Sequence, residues 1–228
     1  MSLLWNRLID ISETIENIVK QNAEEVYEKD LEKFNKPGWV NRVYRNEKYR
    51  RAHIDIVDAR EEKGLWMMHC CVFPHVHNNG PVFGYDVIAG ENKITGFFHD
   101  FSPMVTEDHP MSVHFYDSTE KLSWKKVREL PDWALQIFSK GMVAAGNIKP
   151  ADQNDISNFD VVEKNLIYFV NNIEQYNNSG TDYTARQNRY AFYQKQNPHT
   201  PKTMKALGLD DDDVDLFVSK CLFPEINS

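Results

Sequence analysis

An α+β protein, a three-layer α/β/α sandwich around a central antiparallel sheet, is the architecture this sequence predicts. Three observations lead there. Strand-like runs fill one block, residues 39–101, and helix-like runs fill a second block after it, rather than alternating. The loops between the strands are short and polar, such as "AREEKG" and "AGEN", which makes the sheet a meander of neighbouring hairpins. Third, the run 65–73 is apolar on both faces: Trp66, Met68, Cys70 and Val72 point one way, and Leu65, Met67, His69, Cys71 and Phe73 the other. Such a strand needs cover on both sides.

The elements follow in order. Leu4, Leu8, Ile11, Ile15 and Ile18 recur at helical spacing, so the chain opens with one amphipathic helix that "NKPG" (35–38) stops. Strands are expected at 39–45, 52–58, 65–73, 82–89 and 93–101. Beyond Pro103, "RELPDWALQIFSKGM" (128–142) has helical periodicity, and Phe159, Val162, Leu166, Phe169, Val170 and Ile173 form a helical stripe. Further helices are expected within 183–197 and 213–222, the second entered through the acidic run "DDDDVD" (210–215), which suits a helix N-terminus. Trp133 and the 159–173 stripe read as core.

Composition narrows the class. With 228 residues, 41% of them hydrophobic, and no linker or repeat, one domain over 1–228 is expected. A net charge of −8 argues against nucleic acid as partner. Asp10, Glu13 and Glu16 interrupt the first apolar stretch, and no run has membrane-spanning length, so neither a leader nor a membrane partner is expected. Three cysteines fit a reducing compartment, and Cys70 and Cys71 point to opposite faces and share no metal. The location expected is cytoplasmic and the state monomeric. His75, His77, His109 and His114 have no metal-ligand spacing and read as loop residues.

The chemistry lies in the hairpins. A turn centred near Glu62 puts Asp55 opposite His69, and the loop "HVHNNG" puts His69 opposite Asp86. Directly opposed residues share a face, so these three form a row whose outer members are about 10 Å apart at a strand spacing of about 4.8 Å. About the "AGEN" turn, Thr95 falls opposite Asp86, and His53 projects from the same face. A lone Asp–His pair is more often a structural hydrogen bond. Three titratable groups on one apolar face point instead to a site, with pKa values pushed towards neutrality as proton donation requires.

The blocks "YRRAHIDI" (49–56), "LWMMHCCVFP" (65–74), "PVFGYDVIAG" (81–90), "HDFSP" (99–103) and "RELPDW" (128–133) stand in the order and near the spacing of the ferredoxin-dependent bilin reductases, which this chain resembles from the second strand onwards. The resemblance implies the α/β/α sandwich independently. It implies Asp86 as central proton donor with His69 as its partner, Asp55 as a catalytic acid at the position of a family Glu, and Thr95, Arg128 and Lys202 as groups that hold the substrate propionates; His53, on the same face, reads as a substrate contact or as a packed histidine. It also implies no metal and no bound cofactor: electrons come singly from reduced ferredoxin, and biliverdin IXα is reduced through radical states.

Two departures bear on the product. Family members that make phycocyanobilin carry Glu where this chain has Asp55, one methylene shorter, and Asn where it has Thr200, flanked by Pro198 and Pro201. The Asp55 pattern is similar to a phage-type branch that makes phycoerythrobilin. The product implied is 3Z-phycoerythrobilin through 15,16-dihydrobiliverdin, with phycocyanobilin as the alternative and a non-catalytic bilin-binding carrier as a rival class. For ferredoxin docking, "RVYRNEKYRR" (42–51) and "KKVR" (125–128) are the basic patches.

Overall fold

The computed structural model describes residues 3–226. Its sheet has seven antiparallel strands in sequence order: β1 (Glu24–Val26), β2 (Trp39–Arg45), β3 (Tyr49–Ala59), β4 (Leu65–Pro74), β5 (Val82–Gly90), β6 (Ile94–Ser102) and β7 (Val143–Ala145). The five long strands are those the sequence predicts. The edge strands β1 and β7 are three residues each, too short for any alternation to be visible.

The helices are α1 (Leu3–Asn22), α2 (Lys29–Glu32), α3 (Arg60–Lys63), α4 (Pro110–Thr119), α5 (Asp132–Leu135), α6 (Gln153–Ser157), α7 (Asp160–Asn172), α8 (Thr184–Gln194), α9 (His199–Ala206) and α10 (Asp211–Leu216). A 3₁₀ turn, Ile173–Tyr176, extends α7, and a π-helical turn, Phe217–Leu222, extends α10. The first helix therefore stops at Asn22, well short of "NKPG", because the chain turns to add β1. The 128–142 stretch is not the helix its periodicity predicts. Only α5 is helical there, preceded by Pro131 and followed by turns. Two helices carry proline where the sequence reads as loop. Pro110 is the first residue of α4 and Pro201 lies in the first turn of α9, positions where a missing N–H breaks no helical bond. His109 and His114 thus belong to α4, as its N-cap and within it. Asp210 caps α10 by accepting from the Asp213 amide at 2.9 Å, as the acidic run predicts.

Period-two alternation sorts the core into two layers. On one face, Trp66, Met68, Cys70 and Val72 of β4 meet Leu4, Leu8, Ile11, Ile15 and Val19 of α1, Phe115 of α4 and Leu166 and Phe169 of α7. On the other, Met67, Cys71 and Phe73 meet Leu31 of α2, Tyr190 of α8, Met204 of α9, Val214 of α10 and Phe217. Cover on both sides is what the doubly apolar β4 demands. Among the described residues, no helix is long and apolar enough to cross a membrane.

Candidate active site

The site begins with register. Asp55 of β3 pairs with His69 of β4, and His69 pairs with Asp86 of β5, so the predicted acid–imidazole–acid row exists on the face covered by α8 and α9. The fourth strand departs from expectation. Phe98, not Thr95, stands opposite Asp86: the turn is centred one residue beyond "AGEN", pairing Ala89 with Ile94, and a shift between Ile88 and Ala89 moves the register by one more. Thr95 sits at this irregularity and its hydroxyl donates to the Ile88 carbonyl at 3.0 Å.

Above the row lies a cavity of about 410 Å³, of the size common for small-molecule sites. Asp55, His69, Asp86, Thr95 and Arg128 all line it. Its floor is the sheet. Its cover is the 128–142 segment with Trp133 and Phe138, helices α8 and α9, and Leu222 and Phe223 at the end of the π-helical turn. Arg128 donates from Nη2 to the Thr95 carbonyl at 2.6 Å and lies over the Phe98 ring, with 5.6 Å to its centroid. A side chain at Gly146 would strike both Arg128 Nε at 2.6 Å and the Thr95 carbonyl at 2.7 Å, so a bare backbone there admits this contact.

Two of the predicted residues are placed otherwise. His53 is wholly buried, its Nε2 at 3.1 Å from Asn41 Oδ1, and it packs edge-on to His69 without reaching the cavity wall. Lys202 is exposed on α9 and off the wall, while its neighbours His199, Thr200 and Thr203 are on it. Trp133, expected in the core, lines the cavity instead. Asp100, Tyr190 and Phe223 line it without having been singled out. For Asp100 the signal was available, since alternation along 96, 98 and 100 carries it to the same face.

Burial sets the protonation of the row. It pushes the Asp86 carboxyl up to about 7. The Asp55 carboxyl also rises to about 7, through burial first and the Asp86 charge in addition, against a lowering hydrogen bond from Trp39 Nε1 at 2.7 Å. The imidazole moves away from neutrality: burial, then the Arg51 cation, takes His69 down to about 4. Near pH 7 the row is therefore a neutral imidazole between two carboxyls that each keep a substantial share of proton. The His69 Nδ1 is buried with no hydrogen-bond partner among the described residues. An orphaned buried nitrogen is costly, and two proton-holding acids beside it can deliver protons to a ligand lying flat over them.

The two basic stretches differ. In 42–51, Arg42 pairs with Glu16, Arg45 with Glu28 at 2.9 Å, and the buried Arg51 with Glu28 at 2.7 Å and with the Cys221 carbonyl at 2.8 Å. That patch is largely neutralised within the fold. In 125–128, Lys125 pairs with Asp152, whereas Lys126 is exposed and Arg128 stands at the cavity.

A family model described as ferredoxin-dependent bilin reductase matches residues 5–224. A phycocyanobilin:ferredoxin oxidoreductase from Synechococcus sp. (strain CC9902) is 26% identical over 190 residues, covering 80% of this chain and 74% of that protein. The enzyme of the same name from Prochlorococcus marinus (strain MIT 9313) is 29% identical over 167 residues, covering 70% of this chain and 61% of its own length. The solved structure of PcyX is similar over 96% of this chain and 99% of its own, at 32% identity and a TM-score of 0.68. Phytochromobilin synthase from tomato, solved in complex with biliverdin, shares the fold at a TM-score of 0.67 and 14% identity over 96% of this chain and 82% of its own.

Proposed function

This chain belongs to the ferredoxin-dependent bilin reductase family, whose members are oxidoreductases, and from that premise we propose that it reduces biliverdin IXα to 3Z-phycoerythrobilin through 15,16-dihydrobiliverdin. The observation that carries the reading is the row Asp55–His69–Asp86 under a cavity, in place of the longer Glu that phycocyanobilin-forming members carry at the first position. Asp55 is tethered by Trp39 and has one methylene less of reach, so the proton it holds is delivered to a different part of a planar substrate.

The roles follow from placement. Asp86, half-buried in the middle of the floor, is the central donor. His69 is the neutral partner that takes a hydrogen bond from the ligand and passes protons along the row. Asp55 serves the far end. Arg128 at the wall receives a carboxylate in bidentate fashion, and Lys202, on a flexible stem one residue from the lining Thr203, turns inward to a second one. Thr95 borders that propionate end, and His53 acts by backing His69 from the side, edge-on on the neighbouring strand. The protein itself supplies no electrons. Ferredoxin delivers them one at a time, while the apolar cover of Trp133, Phe138 and Phe223 keeps water from the half-reduced ligand. The exposed Lys126 beside the cavity offers an acidic ferredoxin a local cation despite the chain's overall negative charge.

The test is an anaerobic reaction of biliverdin IXα with this protein, ferredoxin and an electron supply, with products separated by chromatography. Phycoerythrobilin is expected. Phycocyanobilin as the product would refute the product assignment, and a bilin that stays bound but unreduced would make the protein a carrier.

A further inference from the structure

The cavity holds a third carboxyl that the row does not use. Asp100 of β6 is opposite Gly84 of β5, in the rank of residues next to the row, and lines the same cavity as Asp86. Its position is diagonal to Asp86 across neighbouring strands, a separation of about 7–8 Å. Gly84 presents no side chain to stand over it. A Cβ there would lie 3.8 Å from the Tyr190 hydroxyl, so Asp100 shares this end of the cavity with a phenol.

The partners of Asp100 are unusual for a buried acid. It is 1% exposed, yet among the described residues no cation pairs with it. Its Oδ2 accepts from the Ser102 hydroxyl at 2.7 Å and the Ser139 amide at 3.1 Å, and its Oδ1 accepts from the Ser139 hydroxyl. A hydroxyl can rotate to accept as readily as it donates. The carboxyl can therefore take up or release a proton without stranding a buried polar group, which an arginine partner would not allow. Burial, the dominant influence, lifts its pKa to about 7, with Glu107 adding and the two serines opposing. The exposed Lys140 follows Ser139, and its amide donates to Glu107 Oε1 at 3.3 Å.

We propose that Asp100 is a further acid of the cavity, donating a proton to the part of the bilin that neither Asp86 nor Asp55 reaches. The inference rests on the bilin-reductase reading. In the later two-electron reduction, two reduced ferredoxins give one electron each and are oxidised. Asp86 supplies one proton. At Asp100 an O–H bond breaks as a C–H bond forms on the ligand, and the carboxylate left behind is reprotonated from solvent between turnovers. One donor for each region of the ligand explains why two acids sit in adjacent ranks rather than one.

The test compares Asp100→Asn with Ser139→Ala under the anaerobic assay with biliverdin, following bilin spectra and products. Asp100→Asn is expected to bind bilin, to accumulate a half-reduced bilin, and to be slowed roughly 10²-fold in the later step, the lower range for a positioned general acid. Ser139→Ala, which removes the hydroxyl on Oδ1 but keeps the acid, is expected to turn over more slowly than wild type while still giving the final product without a build-up of half-reduced bilin. Wild-type rates and products in Asp100→Asn would overturn the proposal. So would an equal stall in both variants, since Asp100 would then act only by holding the cover. If Asp100→Asn does not hold bilin, Asp100→Glu decides: an acid displaced by one methylene should change the ratio of half-reduced to final product, and an unchanged ratio overturns the proposal. A wild-type protein that reduces no bilin would overturn the reading of the whole site, whereas the variant outcomes bear on Asp100 alone.

Discussion

The two faces of the sheet each hold a histidine whose pKa desolvation takes down to about 4, His99 buried and His69 half-buried, and the two side chains could hardly be used more differently. His99 on the α7 face is satisfied at both nitrogens: Nδ1 lies 2.8 Å from the Gly84 carbonyl, and Nε2 lies 3.1 Å from Asn165 Nδ2. Rings of Phe83, Phe101 and Phe115 enclose it. His69 on the cavity face has an unpartnered Nδ1 and an acid on either side. The shift alone does not separate them, because desolvation produces it in both. What separates them is hydrogen-bond completion. A buried group with every bond made is architecture, and one left incomplete beside a cavity is held open for a ligand.

The contrast is open to direct attack. The largest effect is expected on the packed face, where Phe169 is fully buried between Phe83 and Phe101. Phe169→Ala should cost roughly 3–5 kcal/mol in denaturant unfolding, while the folded fraction still binds bilin. On the cavity face the balance reverses. His69→Gln should change stability by less than about 1 kcal/mol, because no protein bond to Nδ1 is lost, yet slow turnover by about 10²-fold. His99→Leu should do the opposite, leaving the Gly84 carbonyl and Asn165 without a partner at a cost of roughly 1–3 kcal/mol. If His69→Gln unfolds the protein and His99→Leu only slows it, the assignment of the two faces is reversed.

Acidity gives the next comparison. With the carboxyls of the row near 7, turnover should fall as pH rises through about 7 and the donors lose their protons. Stability should fall in a related window. The unfolded chain releases the Asp55 proton near 4 while the folded state keeps it to about 7, so stability is lost as pH rises between these values and stays lower above them. Asp55→Asn, which can still accept from Trp39, should therefore melt higher than wild type at pH 8 and show no such gain at pH 4. The smallest effect concerns the basic stretch 42–51. Arg42 is engaged with Glu16, so Arg42→Ala should cost under about 1 kcal/mol and leave the salt dependence of ferredoxin turnover unchanged.

The comparison also shows what a sequence reveals. Hairpin symmetry located Asp55, His69 and Asp86 in one row because antiparallel register is arithmetic about a turn, and the two turns concerned are regular. The same arithmetic misplaced Thr95, since the turn is centred one residue later than "AGEN" and the shift at Ile88 adds one more residue, neither marked by composition. The helices that pack on long strands were legible from apolar stripes, whereas α4 and α9 were obscured by prolines that sit harmlessly in their first turns. The cover was least legible. Trp133 and Phe138 come from a mostly irregular segment whose position over the sheet depends on the Ser139–Asp100 contact, a tertiary event with no local pattern.

The most direct measurement is single-turnover reduction of bound biliverdin by Asp86→Asn with reduced ferredoxin, read by absorbance under anaerobic conditions. The account predicts that the variant shows a bound-bilin spectrum that changes little on the timescale in which wild type completes the reaction, because the central floor residue no longer has a proton to give. Reduction at the wild-type rate would contradict it, and the row across β3, β4 and β5 would then be scaffold rather than chemistry.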